Sequence, residues 1–218
     1  MQSYLELTYA ATRKYHVVEV GGTKLYHGDT YQGSKGGTLT VDGYNVTMNN
    51  FKDSSIVSFP NEYCEDYYEE HRPVFSDIME TLKLTIIGEN SVGSIGAMRD
   101  LEIYGTMYDS LTLQKLKLFA YVPPSDGAFT PSDEYLNWYC RIYGGNYTMN
   151  LLDLGGGNEE QSLGIYDGAS VEVSGEVTAK GVGVKNSKLA ANSIFSTIDR
   201  HNYTAMLFQN SRIELIDR

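Results

Sequence analysis

The residues most suited to chemistry lie in two short segments, and the first of these is acidic. It runs Asn61-Glu62-Tyr63-Cys64-Glu65-Asp66-Tyr67-Tyr68-Glu69-Glu70-His71. On a short helix capped by Asn61, most of the carboxylates share one face, because residues three and four apart are neighbours. Hard cations bind several carboxylate oxygens, so this face predicts a calcium site. Its ligands would be Glu65, Asp66, Glu69 and Glu70.

The same acidic segment has a simpler interpretation. Calcium loops usually mix backbone carbonyl ligands and glycine into a run of carboxylates, and this segment contains no glycine. We therefore favour a solvated acidic face whose tyrosines pack on the rest of the chain. We expect no cofactor, with calcium as the single candidate.

The second segment is aromatic and contains the only tryptophan of the chain. Tyr135, Trp138, Tyr139 and Tyr143 lie within nine residues, beside Asn137 and Arg141. Flat rings stack on the faces of sugar rings, and amide or guanidinium groups bond sugar hydroxyls, so the segment predicts a glycan-binding surface. A lone tryptophan beside Leu136 and Ile142 is more often packed under a loop. We favour that packing role, yet these four aromatic residues remain the best prediction of a binding site.

Signatures of catalysis are missing from the chain. It has no G-x-S-x-G, P-loop, H-E-x-x-H or EF-hand pattern, and its four histidines are scattered. Carboxylates such as Glu102, Asp109, Asp167 and Glu172 lie on or beside predicted strands, as any solvated strand face would show. Cys64 and Cys140 have no zinc-ligand spacing. They form either a clip between two loops or two free thiols. We predict a protein that is not an enzyme.

Composition and charge narrow the partners. The chain has 218 residues, 41% hydrophobic, with 18 Tyr, 22 Gly and a formal net charge of −11. This charge argues against nucleic acid and anionic membrane surfaces, both of which require basic residues. No stretch is long and apolar enough for membrane insertion. The first residues, Met1-Gln2-Ser3-Tyr4-Leu5-Glu6, show no basic region followed by an apolar one. The chain is therefore either cytosolic or a mature fragment from which a signal was removed.

Many short strands are predicted by a recurring unit, in which an apolar–polar–apolar triplet precedes Gly, Asn or Asp. Examples are Leu39-Thr40-Val41-Asp42-Gly43 and Leu101-Glu102-Ile103-Tyr104-Gly105. Alternation puts one face inward and the other outward, and Gly and Asn tolerate positive φ at the corners. Asn186-Ser187-Lys188-Leu189 and Asn210-Ser211-Arg212-Ile213 start 24 positions apart, with echoes at Asn90-Ser91 and Asn192-Ser193. Such a period is typical of a solenoid, although a Greek-key sandwich also has many short strands.

Several of these segments resemble a family of secreted parallel β-helix proteins of anaerobic gut bacteria. The family's members are usually described as carbohydrate-binding-domain-containing or adhesin-like. The similar segments are Gly21-Gly22-Thr23, Gly36-Gly37-Thr38-Leu39-Thr40-Val41, Val46-Thr47-Met48-Asn49-Asn50, Leu82–Val92, Asp100–Gly105 and Ser110–Leu113. The resemblance covers about half of the chain in patches. It implies a β-helix that acts outside the cell, at or near a surface, with a polysaccharide or other glycan as partner.

Together these observations predict an all-β chain that forms a right-handed parallel β-helix, or β-solenoid, with loop insertions. Residues 1–218 would form one domain, with insertions at about residues 59–80 and 121–150. The expected function is a non-catalytic carbohydrate-binding or adhesin-like module. Two alternatives stay open: a polysaccharide lyase or glycoside hydrolase on the same fold, and a structural spacer of a larger surface protein. The sequence leaves the oligomeric state open.

Overall fold

The described part of the chain is built from β-strands only. The computed structural model describes residues 16–59, 81–97, 99–118, 139–154, 162–196 and 206–216, and these contain no helix. The first strands are β1 (Val18–Val20), β2 (Thr23–Leu25), β3 (Thr30–Gln32), β4 (Thr38–Asp42), β5 (Asn45–Asn49) and β6 (Ile56–Phe59). Next come β7 (Leu82–Ile87), β8 (Glu89–Ser91), β9 (Ser94–Ala97), β10 (Leu101–Tyr104), β11 (Ser110–Leu118), β12 (Tyr139–Tyr143) and β13 (Asn146–Asp153). The last are β14 (Ser162–Tyr166), β15 (Ser170–Ala179), β16 (Gly181–Lys185), β17 (Lys188–Ser196), β18 (Met206–Gln209) and β19 (Arg212–Leu215).

These strands form two sheets, and both sheets contain strands from along the whole described chain. Sheet A has the order β2-β1-β6-β9-β11-β13-β15-β17-β19, with β8 also paired to β11. Sheet B has the order β3-β4-β5-β7-β10-β12-β14-β16-β18. From β10 onward, successive strands alternate between the sheets, and each pairs in parallel with the strand two places later. The antiparallel pairs, β1 with β2 and β6 and β4 with β3 and β5, lie at the N-terminal end of the sheets.

The apolar residues of the predicted triplets line a common core. In sheet B, Leu82, Leu101, Cys140, Leu163 and Val182 occupy one register column. All five are at most 2% exposed. The core cluster continues through both sheets from Val17 to Ala191. In-register stacking of short strands therefore buries the apolar face that no single pair of strands could bury alone.

The corners follow the predicted chemistry. Asn50, Asp167, Asn186 and Asn210 have φ between 48° and 58°, the left-handed region that Asn and Asp tolerate better than most residues. The two Asn-Ser phrases that start 24 positions apart occupy equivalent corners, because Lys188 pairs with Arg212 and Leu189 with Ile213. The similar Asn-Ser pairs that begin at Asn90 and Asn192 do not occupy equivalent corners, because Asn90 lies within β8 and Asn192 within β17.

One expected boundary needs correction. The second insertion was predicted to extend to Asn150, but Tyr139–Tyr143 and most of Asn146–Asp153 lie in that range and are strands of the two sheets. Their alternating burial places them in the stacked core. Residues 60–80 and 119–138 lie outside the described part of the chain.

Candidate ligand-binding face

The predicted aromatic site falls partly on sheet B. Tyr139, Arg141 and Tyr143 alternate along β12 with the buried Cys140 and Ile142, so the three polar side chains occupy the outer face of the sheet. Tyr135 and Trp138 lie outside the described residues. So do the predicted calcium ligands Glu65, Asp66, Glu69 and Glu70.

Tyr143 belongs to a row of three stacked tyrosines. The register places it opposite Tyr104 of β10 on one side and Tyr166 of β14 on the other. The ring centroids of Tyr104 and Tyr143 are 4.9 Å apart with an interplanar angle of 7°. Those of Tyr143 and Tyr166 are 5.3 Å apart at 30°. The spacing matches the separation of neighbouring strands, so the parallel register itself brings the rings together.

A network of polar groups lies beside this row. The Tyr104 hydroxyl donates to Glu102 Oε2 at 2.5 Å, and Glu102 Oε1 is 3.5 Å from Arg141 Nη1. The Arg141 guanidinium also stacks over the Tyr139 ring, 3.8 Å from its centroid. Burial, followed by the hydrogen bond to Glu102, raises the pKa of Tyr104, and burial, followed by the charge of Glu102, raises the pKa of Tyr143. Both phenols therefore stay protonated at neutral pH and remain hydrogen-bond donors.

Asp100 borders the same face at the start of β10. Its Oδ1 accepts the backbone N–H of Tyr139 at 2.8 Å. Burial raises its pKa to about 6, against the opposing effects of the Tyr139 hydrogen bond and the Arg141 charge. Asp100 therefore titrates closer to neutral pH than an ordinary aspartate does.

Glycines open a shallow groove next to the tyrosine row. The groove, of about 220 Å³, is lined by residues that include Gly164, Gly181 and Gly183 on its floor and Arg141, Tyr166 and Leu207 at its sides. A Cβ on Gly164 would lie 2.4 Å from the Tyr166 ring, so Tyr166 can lie over this position only because residue 164 is glycine. Leu207 is 65% exposed. The groove therefore combines a ring, an apolar side chain, bare backbone and a guanidinium.

A second concavity, of about 420 Å³, lies at the corners near Asn186 and Asn210. Its polar groups are used internally. Lys188 and Arg212 both pair with Glu214, and the Ser211 hydroxyl donates to the Val184 and Gln209 carbonyls. This corner is larger than the groove of sheet B but offers fewer uncommitted groups to a ligand.

The described residues bear on three further features: the cysteines, a metal site and a membrane-spanning helix. Cys140 is a free thiol in the core, and burial raises its pKa to about 12. Cys64 lies outside the described residues. Within the described ranges, no three His, Cys, Asp or Glu side chains are grouped so that they could hold a metal ion. No helix in the same ranges is long and apolar enough to cross a membrane.

Comparison with known proteins identifies no relative. No protein-family model, no curated protein and no solved structure matches the chain.

Sequence reasoning missed Tyr104, Tyr166 and Gly164 as parts of one face. A signal for the row was present, because each of the three tyrosines ends a similar strand. These strands read Leu101-Glu102-Ile103-Tyr104, Cys140-Arg141-Ile142-Tyr143 and Leu163-Gly164-Ile165-Tyr166, each followed by Gly or Asp. The shared Ile-Tyr step before a corner indicates equivalent places in successive strands.

Proposed function

We propose that this chain is an extracellular or cell-surface module that binds a glycan without cleaving it, and that its strands form a right-handed parallel β-helix. Two observations support the β-helix: from β10 onward the strands alternate between the two sheets, and each of them pairs in parallel with the strand two places later. The handedness follows from the strong preference of parallel crossover connections for the right-handed form.

The observation that carries the binding function is the tyrosine row beside the glycine-floored groove. The inner ring faces of Tyr104, Tyr143 and Tyr166 cover one another, so a sugar cannot stack between them. Tyr166 is the last ring of the row and borders the groove. A sugar ring in the groove would contact Tyr166 and Leu207 through its C–H groups, and its hydroxyls would bond Arg141 and the phenol hydroxyls.

Charge favours a neutral glycan. Arg141 is the described cation nearest the groove, and Glu102 lies within ion-pair distance of it. The whole chain carries a net charge of −11. A polyanionic ligand would meet this excess of negative charge with little local compensation.

Two of the candidate carboxylates, Glu102 and Asp109, argue against the hydrolase and lyase alternatives. Glu102 is engaged by Tyr104 and Arg141. Asp109 is 8% exposed and accepts hydrogen bonds from Gly88 and from Thr106. Carboxylates engaged in this way are poorly placed to act as an acid–base pair across a cleft. The spacer alternative predicts a uniformly polar surface, and the tyrosine row departs from that.

A panel of immobilised neutral and acidic polysaccharides, with and without calcium, tests the proposal. We expect retention on a neutral glycan, unchanged by chelation of calcium, with no new reducing or unsaturated ends in the same wells. Release of such ends would replace binding by a lyase or hydrolase activity. Absence of retention across the panel would contradict the glycan proposal and favour the spacer.

A further inference from the structure

Gly183 leaves a gap on the outer face of sheet B that the fold itself does not require. It is the central residue of β16 and lies between the buried Val182 and Val184, so a side chain here would point outward. Among the described residues, a Cβ at this position would meet the Tyr166 hydroxyl at 3.8 Å and the Leu163 carbonyl at 3.9 Å, which are ordinary contacts. The φ of Gly183 also lies outside the left-handed region. Neither space nor backbone conformation therefore requires glycine.

Neighbouring glycines do have a structural reason. A Cβ on Gly164, the register partner of Gly183 on β14, would overlap the Tyr166 ring. Gly168, at the corner after β14, has a φ of 82°. Glycine inside a strand weakens the strand, and it often marks a place where a ligand approaches the backbone closely. Gly183 fits this second description.

The gap above Gly183 is a slot with two apolar walls. Tyr143 covers one face of the Tyr166 ring, so the other face is turned toward β16. On the far side, Leu207 of β18 pairs with Gly183 and is exposed. The strands that flank β16 are roughly 10 Å apart, since neighbouring strands lie about 4.8 Å apart. This width holds one ring at the spacing of the tyrosine row itself, whose centroids are 4.9 and 5.3 Å apart.

We infer that one sugar ring binds over Gly183 as the next member of this stack, and that the slot selects pyranoses whose substituents are all equatorial. This inference rests on the proposed glycan-binding function. One face of the sugar contacts Tyr166 and the other contacts Leu207. In an all-equatorial chair both faces carry only axial C–H groups, whereas an axial hydroxyl would be buried against an apolar wall without a partner.

The polar groups and the size of the groove agree with one such ring. Equatorial hydroxyls lie at the rim of the sugar, where the polar groups that line the groove, such as Arg141, can bond them. The groove of about 220 Å³ is smaller than the roughly 300–1,000 Å³ of pockets for drug-sized ligands. It therefore accommodates a single sugar unit. The ligand class is a neutral glycan whose units have the configuration of glucose.

Substitutions at Gly183 separate a role in binding from a role in folding. In calorimetric titration with a linear β-1,4-glucose hexasaccharide, Gly183→Ala should weaken binding, and Gly183→Val should weaken it by at least ~10-fold. Because β-branched residues suit a strand, urea unfolding should show that Gly183→Val is at least as stable as the unmodified chain. Asn45→Val is the matched control. It adds valine at an exposed position of β5, five strands from β16 in sheet B, and should leave the affinity unchanged.

A comparison of three neutral oligosaccharides tests the selectivity. We expect the glucose hexasaccharide to bind about 10-fold more tightly than β-1,4-linked hexasaccharides of galactose, whose O4 is axial, and of mannose, whose O2 is axial. Equal affinities, or a folded Gly183→Val variant that binds as the unmodified chain does, would overturn the inference and leave the binding function intact. An unmodified chain that binds no glycan at all would instead contradict the proposed function, and the inference with it.

Discussion

At the scale of single residues, two tyrosines differ in whether the hydroxyl group has a hydrogen-bond partner. Tyr104 and Tyr147 both lie on inner or half-buried strand positions, but only Tyr104 has a partner for its hydroxyl. Tyr147 is 2% exposed, and its hydroxyl has no hydrogen-bond partner among the described residues. A buried hydroxyl without a partner costs about 1–3 kcal/mol.

Tyr147→Phe should therefore leave the free energy of unfolding unchanged or raise it by ~1 kcal/mol. Tyr104→Phe is the matched comparison and should lower it by ~1 kcal/mol, because Glu102 loses a donor. Urea unfolding followed by circular dichroism measures both. A loss of stability in Tyr147→Phe as large as in Tyr104→Phe would show that Tyr147 has a partner.

Asp100 gives the protein a specific dependence on pH. Burial raises its pKa from 3.8 to about 6 in the folded state, so the folded protein binds this proton more tightly than the unfolded chain does. Its contribution to stability is full below pH 4 and is lost as the pH rises through 6. Asp100→Asn keeps an acceptor for the Tyr139 N–H but cannot ionise.

We therefore expect the stability of the variant, relative to the unmodified protein, to increase between pH 4 and pH 6.5. Urea unfolding at several pH values provides the comparison. A constant difference across this range would mean that Asp100 titrates as it does in the unfolded chain.

At the scale of elements, the corners depend on residues that accept a left-handed backbone. Asn186 has φ of 52° at the turn between β16 and β17, and its N–H donates to the Gln209 carbonyl of the next corner. A β-branched residue is strained in this conformation, whereas glycine is not.

Asn186→Val should lower the free energy of unfolding by ~1–2 kcal/mol, and Asn186→Gly by only a few tenths. Thermal and urea unfolding of the two variants decide between backbone strain and a side-chain role. Equal losses in Val and Gly would assign the effect to the asparagine side chain.

Much of the strand pattern was predictable because burial alternates residue by residue. Leu39-Thr40-Val41 and Val46-Thr47-Met48 were predicted as strands, and in both the apolar residues are buried and the central threonine is half-buried. The sheet to which each strand belongs was not predictable. That depends on how the chain turns between strands, and Gly and Asn at a corner fix its local conformation but not the next pairing.

At the scale of the whole molecule, the tyrosine row arises from long-range stacking. Tyr104, Tyr143 and Tyr166 are distant in sequence and become neighbours only because β10, β12 and β14 pair in register. The sequence identified Tyr139 and Tyr143 as candidates from their local density, but it grouped them with Tyr135 and Trp138. Local density could not show that Tyr143 stacks on two rings from other strands.

The outer face of sheet B is the proposed glycan site, and replacing the central ring of the tyrosine row tests this assignment most directly. Tyr143→Ala removes the ring that holds Tyr104 and Tyr166 in place. Tyr108→Ala is the matched control, since Tyr108 is 83% exposed and lies outside the row.

The measurement is affinity electrophoresis of both variants in the polysaccharide that retains the unmodified chain. We predict that Tyr143→Ala loses at least ~10-fold in affinity, because Tyr166, the ring that borders the groove, loses the ring that it stacks on, while Tyr108→Ala binds as before and both keep their circular dichroism spectra. Full retention of a folded Tyr143→Ala variant would contradict the assignment of the site to this face.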